Sequence, residues 1–246
     1  VLTARDEKTG RPLVDVILDK AGQKGTGLWT VQNALELGVS APTIYAAVNG
    51  RVLSAYKDQR IKAAGLLPGP DRRFADDAAQ WVDTMGQALY LAKICSYAQG
   101  FDLMATAATE FGWKLNYGEI ARIWRGGCII RARLLEEIRS AYAADPALPN
   151  LLTAPALNNV VDEGQKALRH VVAQAVQMGI PVPALSASLA YYDAYRSARL
   201  PANLIQAQRD YFGAHTYART DMTGVFHTDW TAVVTAATKM DSGKAG

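Results

Sequence analysis

Apolar residues recur along most of this chain at steps of three and four, the repeat that one face of a helix presents. Between 74 and 111 the row runs through Trp81, Met85, Leu89, Ala92 and Cys95, and no proline interrupts it. That stretch outlasts an ordinary surface helix. A long helix through the middle of the fold is therefore predicted, with its Met and aromatic stripe in the core. A second helix start is legible at Leu115 to Ile120. Asn116 supplies a cap, Glu119 follows three residues later to reach back, and Leu115 with Ile120 forms a hydrophobic staple. Gly126-Gly127 breaks that helix, and an amphipathic one is predicted from 129 to about 140. Residues 145–150 read as loop. Further helices are predicted over 161–178, stopped by Gly179 and Pro181, over 184–199, opened by Pro183, and over 202–212, stopped by Gly213. Period-two alternation is nearly absent, so the fold class is all-α. No internal repeat or domain boundary stands out: residues 1–230 read as one helical domain and 231–246, small and polar, as a flexible tail.

Half of the 246 residues are hydrophobic, enough for a sizeable core. The net charge of +3 comes from 26 basic and 23 acidic residues spread along the chain. Without clustering on one face, or aromatics among the basic residues, that excess argues against a nucleic-acid partner. Cys95 and Cys128 each sit inside an apolar helical pattern, as reduced cysteines do when used as small hydrophobes, and neither has metal-ligand spacing. No apolar run spans a bilayer and no signal peptide opens the chain, so a cytoplasmic protein without a membrane partner is expected. The chain opens on Val1 and reads as a sequence already under way, cut or truncated upstream.

Candidate chemistry begins at Gly22-Gln23-Lys24-Gly25-Thr26-Gly27, ahead of a helix from about 29 to 37. Three glycines permit positive φ and close approach to a ligand, and the free N–H groups of a helix start favour an anion. Lys24 adds charge and Thr26 a hydroxyl, so the chemistry suits a phosphate. The spacing is not that of a P-loop, and a flexible glycine turn with Thr26 as N-cap fits equally well. Arg51 lies on a helix that starts near Pro42. Gly38 lets that helix fold back on its predecessor and carry Arg51 towards the Lys24 loop. Lys57, Arg60, Arg131 and Arg133 read as structural cations. Arg209 falls in the last turn of a helix, with His215 just past its glycine stop. His170 and His227 read as structural. No catalytic triad, paired carboxylates or dinucleotide-binding glycine fingerprint is present.

Six strings, in order, resemble one family. They are Asp15 to Gly27 (DVILDKAGQKGTG), Lys57 to Arg60 (KDQR), Lys93 to Phe101 (KICSYAQGF), Ile123 to Arg133 (IWRGGCIIRAR), Leu200 to His215 (LPANLIQAQRDYFGAH) and His227 to Trp230 (HTDW). They are similar to the 6-phosphogluconate dehydrogenases, NADP-dependent and decarboxylating, over about residues 10–230. The resemblance implies the large helical part of an oxidoreductase of the pentose phosphate pathway and gluconate utilization. That part forms most of a homodimer. It also implies that the NADP-binding Rossmann domain, the general-base lysine and the general-acid glutamate lie upstream of Val1, so that this chain alone is inactive. Lys24, Thr26 and Arg51 would hold the phosphate of 6-phosphogluconate. From the neighbouring subunit, Arg209 would reach the phosphate and His215 the sugar-acid chain. Arg suits a dianion because it binds bidentately while Lys and Thr fill the remaining lone pairs. Two positions depart from the family: Leu28 stands at a commonly basic site, and Asn49-Gly50 precedes Arg51 in place of bulkier residues. Two other readings share the composition. One is a non-catalytic helical module that dimerises and binds a phosphosugar acid, and the other is a helical scaffold without a ligand.

Overall fold

The computed structural model describes residues 1–72, 74 and 77–233. Its α-helices are α1 (Leu13–Val16), α2 (Thr26–Glu36), α3 (Pro42–Ser54), α4 (Lys57–Ala64), α5 (Ala78–Phe111), α6 (Tyr117–Trp124), α7 (Leu134–Ala144), α8 (Asn158–Gln177), α9 (Pro183–Arg196) and α10 (Ala202–Gly213). Among the described residues the β-pairing is confined to two isolated bridges, Arg5 with Pro12 and Tyr217 with Phe226. The fold is all-α. The chain forms two compact units, Val1–Asp193 and Ala194–Gly246. Of the predicted tail, residues 234–246 lie outside the described residues.

In the first unit α5 is the axis and α8 lies along it. Asp77 caps α5 by accepting from the Gln80 N–H at 2.9 Å. Gly112 ends the helix in the left-handed conformation. Ala88, Leu91, Cys95 and Ala98 are buried, as are Leu135 and Ile138 of α7 and Leu168 of α8. Each leucine so buried stabilises by roughly 1.5–3 kcal/mol. Burial also pushes the Cys95 thiol up to about 12, so it packs as an uncharged apolar group. The predicted stripe is only half right. Ala92 and Cys95 are buried, but Met85 is 48% and Leu89 61% exposed, because the row that meets α8 passes through Ala88 and Leu91 instead.

A buried polar chain orients α3 on this axis. Gln99 of α5 accepts from the Thr43 N–H at 3.1 Å and donates to its hydroxyl at 2.9 Å. Thr43 Oγ1 lies 3.0 Å from Ser188 Oγ of α9. One helix start and one capping contact differ from expectation. In α6, Asn116 accepts from the Glu119 N–H at 3.0 Å as expected, but the Glu119 carboxylate turns to Arg122 Nε at 2.7 Å. α7 begins at Leu134, not 129, where Leu134 and Leu135 first find the core, and Ile129 is left 98% exposed. The Tyr97 hydroxyl donates to the Ile130 carbonyl and holds that preceding turn.

Candidate functional site

The predicted residues fall into two groups, with Lys24, Thr26 and Arg51 in the first unit and Arg209 and His215 in the second. In the first group, Gly38 takes φ +68° and lets α2 and α3 fold back as a hairpin. A Cβ on Gly27 would stand 3.0 Å from Val48 Cγ2, so the first turn of α2 lies directly on α3. Arg51 is three residues beyond Val48, on the same helical face. The hairpin therefore brings the glycine turn and Arg51 towards one end. The helix start excludes Thr26 as the N-cap. Gly25 occupies the cap and Thr26 is the first helical residue. Nor do the glycines of this loop use positive φ. Gly22 faces open space, whereas a Cβ on Gly25 would meet the Trp29 indole at 2.5 Å.

The approach to the turn is tied down on the α3 side. Ser54 Oγ accepts from the Ala21 N–H at 2.9 Å and donates to the Arg51 carbonyl at 2.7 Å. Lys57 pairs with the Asp19 carboxylate, and Arg60 donates to Asp19 Oδ2 and to the Asp19 carbonyl, both at 3.0 Å. Bonds from Lys57 and then Arg60 hold the Asp19 carboxyl at about 2. Lys57 and Arg60 are thus structural, as their sequence context suggested, and what they support is the approach to the glycine turn. Lys24 and Arg51 are exposed, and neither side chain has a hydrogen-bond or ion-pair partner among the described residues. Two uncommitted cations beside free helical N–H groups can take up an anion.

The second group is built on the end of α10. Gly213 is the last helical residue, and Ala214 takes the left-handed cap at φ 50° in place of the expected glycine stop. Gly213 serves another purpose: a Cβ there would come 3.0 Å from His215 Nε2, so its bareness leaves room for the imidazole. Thr216 is also left-handed, at φ 61°. Arg209 Nη1 donates to Gln206 Oε1 at 3.0 Å, and Gln206 Nε2 donates to the Thr216 carbonyl at 2.5 Å. Beneath them Asp210 is fully buried. Its Oδ1 accepts from the Thr216 N–H at 2.9 Å and meets His227 Nδ1 at 2.9 Å. Its Oδ2 accepts from the Thr228 N–H at 3.1 Å and Trp230 Nε1 at 2.8 Å. His227 is structural, as expected. The expectations gave Asp210 and Gln206 no role. The signal was available, since an acidic residue in the last turn of a helix opposes the helix dipole and needs a compensating partner.

Comparison with known proteins matches residues 1–230 to the family described as 6-phosphogluconate dehydrogenase, C-terminal domain. The NADP(+)-dependent, decarboxylating 6-phosphogluconate dehydrogenase of Bacillus subtilis is 57% identical over 94% of this chain and 49% of its own length. The decarboxylating 6-phosphogluconate dehydrogenase of Escherichia coli K12 is 56% identical over 94% and 49%. Among solved structures, the 6-phosphogluconate dehydrogenase of Plasmodium falciparum superposes with a TM-score of 0.88 at 45% identity. It covers 93% of this chain, and its structures include complexes with NADP+ and with 6-phosphogluconate. The chain spans about half the length of the relatives it matches.

Proposed function

Since the chain belongs to the 6-phosphogluconate dehydrogenase C-terminal domain family, we propose that it is the substrate-binding and dimerisation half of that NADP-dependent enzyme. The complete enzyme would oxidise 6-phosphogluconate at C3, release carbon dioxide from the β-keto acid and protonate the enediol to ribulose 5-phosphate. The observation that carries this reading is the pair of uncommitted cations, Lys24 and Arg51, at the glycine turn that opens α2. They would hold the phosphate together with the Thr26 hydroxyl, while Arg209 and His215 act in the site of a second subunit. Anchoring the dianion remote from C3 fixes the sugar-acid chain for the reaction, and binding energy spent there orients the reacting carbon.

NADP supplies the hydride acceptor. A dinucleotide turn needs a strand leading into a glycine loop, and the described residues here form helices with two isolated bridges. On the family resemblance, the cofactor, the general base and the general acid are assigned to the half of the relatives that this chain does not span, which would leave the chain alone inactive. No helix among the described residues is long and apolar enough to cross a membrane, and the reading places the enzyme in the cytoplasm.

Arg51→Ala in the complete enzyme tests the phosphate site. Loss of one charge-assisted bond is worth about 1.5–3 kcal/mol, so KM for 6-phosphogluconate is expected to rise on the order of ten- to a hundredfold. Steady-state kinetics with an unchanged KM would remove Arg51 from the site.

A further inference from the structure

We propose that Asp210 is a positioning residue for substrate binding, fixing the turn that carries His215 while Gln206 clamps its other side. This rests on the reading of Arg209 and His215 as substrate ligands. The turn is not one the backbone adopts unaided. Ala214 and Thr216, on either side of His215, are both left-handed without being glycine. Side chains with a Cβ resist that conformation, and it persists only where neighbours over-determine it. Here they do. The Asp210 carbonyl accepts from the Ala214 N–H at 2.9 Å, Asp210 Oδ1 accepts from the Thr216 N–H at 2.9 Å, and Gln206 Nε2 donates to the Thr216 carbonyl at 2.5 Å. His215 therefore sits between two residues whose amides are both fixed by Asp210. Gln206 also accepts from Arg209 Nη1, so the two candidate ligands share one scaffold.

The rest of the carboxylate explains why a charge is retained there. Its second oxygen accepts from Thr228 N–H and Trp230 Nε1, both of which can only donate. A fully buried carboxylate with every direction occupied by a donor is rigid. It ties the end of α10 to residues 227–230, and the Tyr217–Phe226 bridge closes the excursion between.

Asp210→Asn separates positioning from general support, because an amide has one accepting atom. With its oxygen turned to Thr228 and Trp230, its NH2 group faces His227 Nδ1, which can accept in one tautomer, and the Thr216 N–H, which cannot. The variant thus loosens the His215 turn selectively. In the complete enzyme Asp210→Asn is expected to raise KM for 6-phosphogluconate about tenfold, the effect of a misplaced hydrogen bond. In a His215→Ala background it is expected to raise KM no further, since residues acting through one another are not additive. An equal rise in both backgrounds, or none in either, overturns the positioning role. If His215→Ala itself leaves KM unchanged, the assignment of His215 as a ligand fails first, and the proposal with it. Gln206→Met leaves the buried carboxylate intact, so it serves if the Asp210→Asn protein does not fold. It is also expected to raise KM about tenfold, and an unchanged KM overturns the proposal.

Discussion

Asp19 and Asp210 both ionise at about 2, and for different physical reasons. Asp19 is half exposed, and bonds from Lys57 and Arg60 favour its charge. Asp210 is buried, which pushes its carboxyl up. Bonds from His227, the Thr228 N–H, Trp230 and the Thr216 N–H together outweigh that push. A carboxyl whose pKa is lower folded than unfolded stabilises the fold above the ordinary 3.8 and loses that contribution as pH falls through about 2. The Trp230 indole N–H, bonded to Asp210 Oδ2 at 2.8 Å, reports this directly. Below about pH 5 its proton resonance is expected to hold steady to about 4 and to move as pH falls towards about 2. A transition centred near 3.8 would show that the four donors do not hold the charge.

At the scale of the helices, the crossing of α5 and α8 depends on Gly164. A Cβ there would stand 2.8 Å from Leu91 Cβ and 3.5 Å from the Gln87 carbonyl. Alanine improves helix propensity by up to about 1 kcal/mol. Leu91 is fully buried and its Cβ cannot swing aside, so the strain prevails. Gly164→Ala is expected to destabilise by about 1–3 kcal/mol, read from the urea midpoint, and a raised midpoint would contradict this packing. Helix existence was legible because the three-and-four repeat and the stops at Gly38 and Gly179 are local signals. Burial was less so. Met85 and Leu89 share the apolar repeat with Cys95, and only the position of α8 determines which row is covered. In the candidate site, residue type and spacing single out the glycine turn and Arg51, which the α2–α3 hairpin carries towards one end. Asp210 could be flagged as an acid in the last turn of a helix, but its partners could not be named, nor could Gln206 or Ser54 be found, since their partners lie on the far side of turns whose shape no short pattern specifies.

Taken as a whole molecule, the chain leaves Val82, Met85 and Leu89 exposed on α5 at steps of three and four. A row of that kind suits a helix packed against a second subunit, and supports the proposal of a homodimer. In a two-fold dimer, a residue reaching into the neighbouring site does so twice, and both sites are built alike. Under the proposal Arg209 and His215 do this, and Lys24, Thr26 and Arg51 are assigned to the site of their own chain. Mixing two complete enzymes, Lys24→Ala and Arg209→Ala, each weakened in phosphate binding and assayed with 6-phosphogluconate well below its raised KM, tests it most directly. If the site is shared, each mixed dimer holds one site with both defects and one with neither. Equal amounts, randomly reassorted, should then recover about a quarter of wild-type activity. No recovery, with subunit exchange confirmed by mass, would contradict the shared site and return all five residues to a single chain.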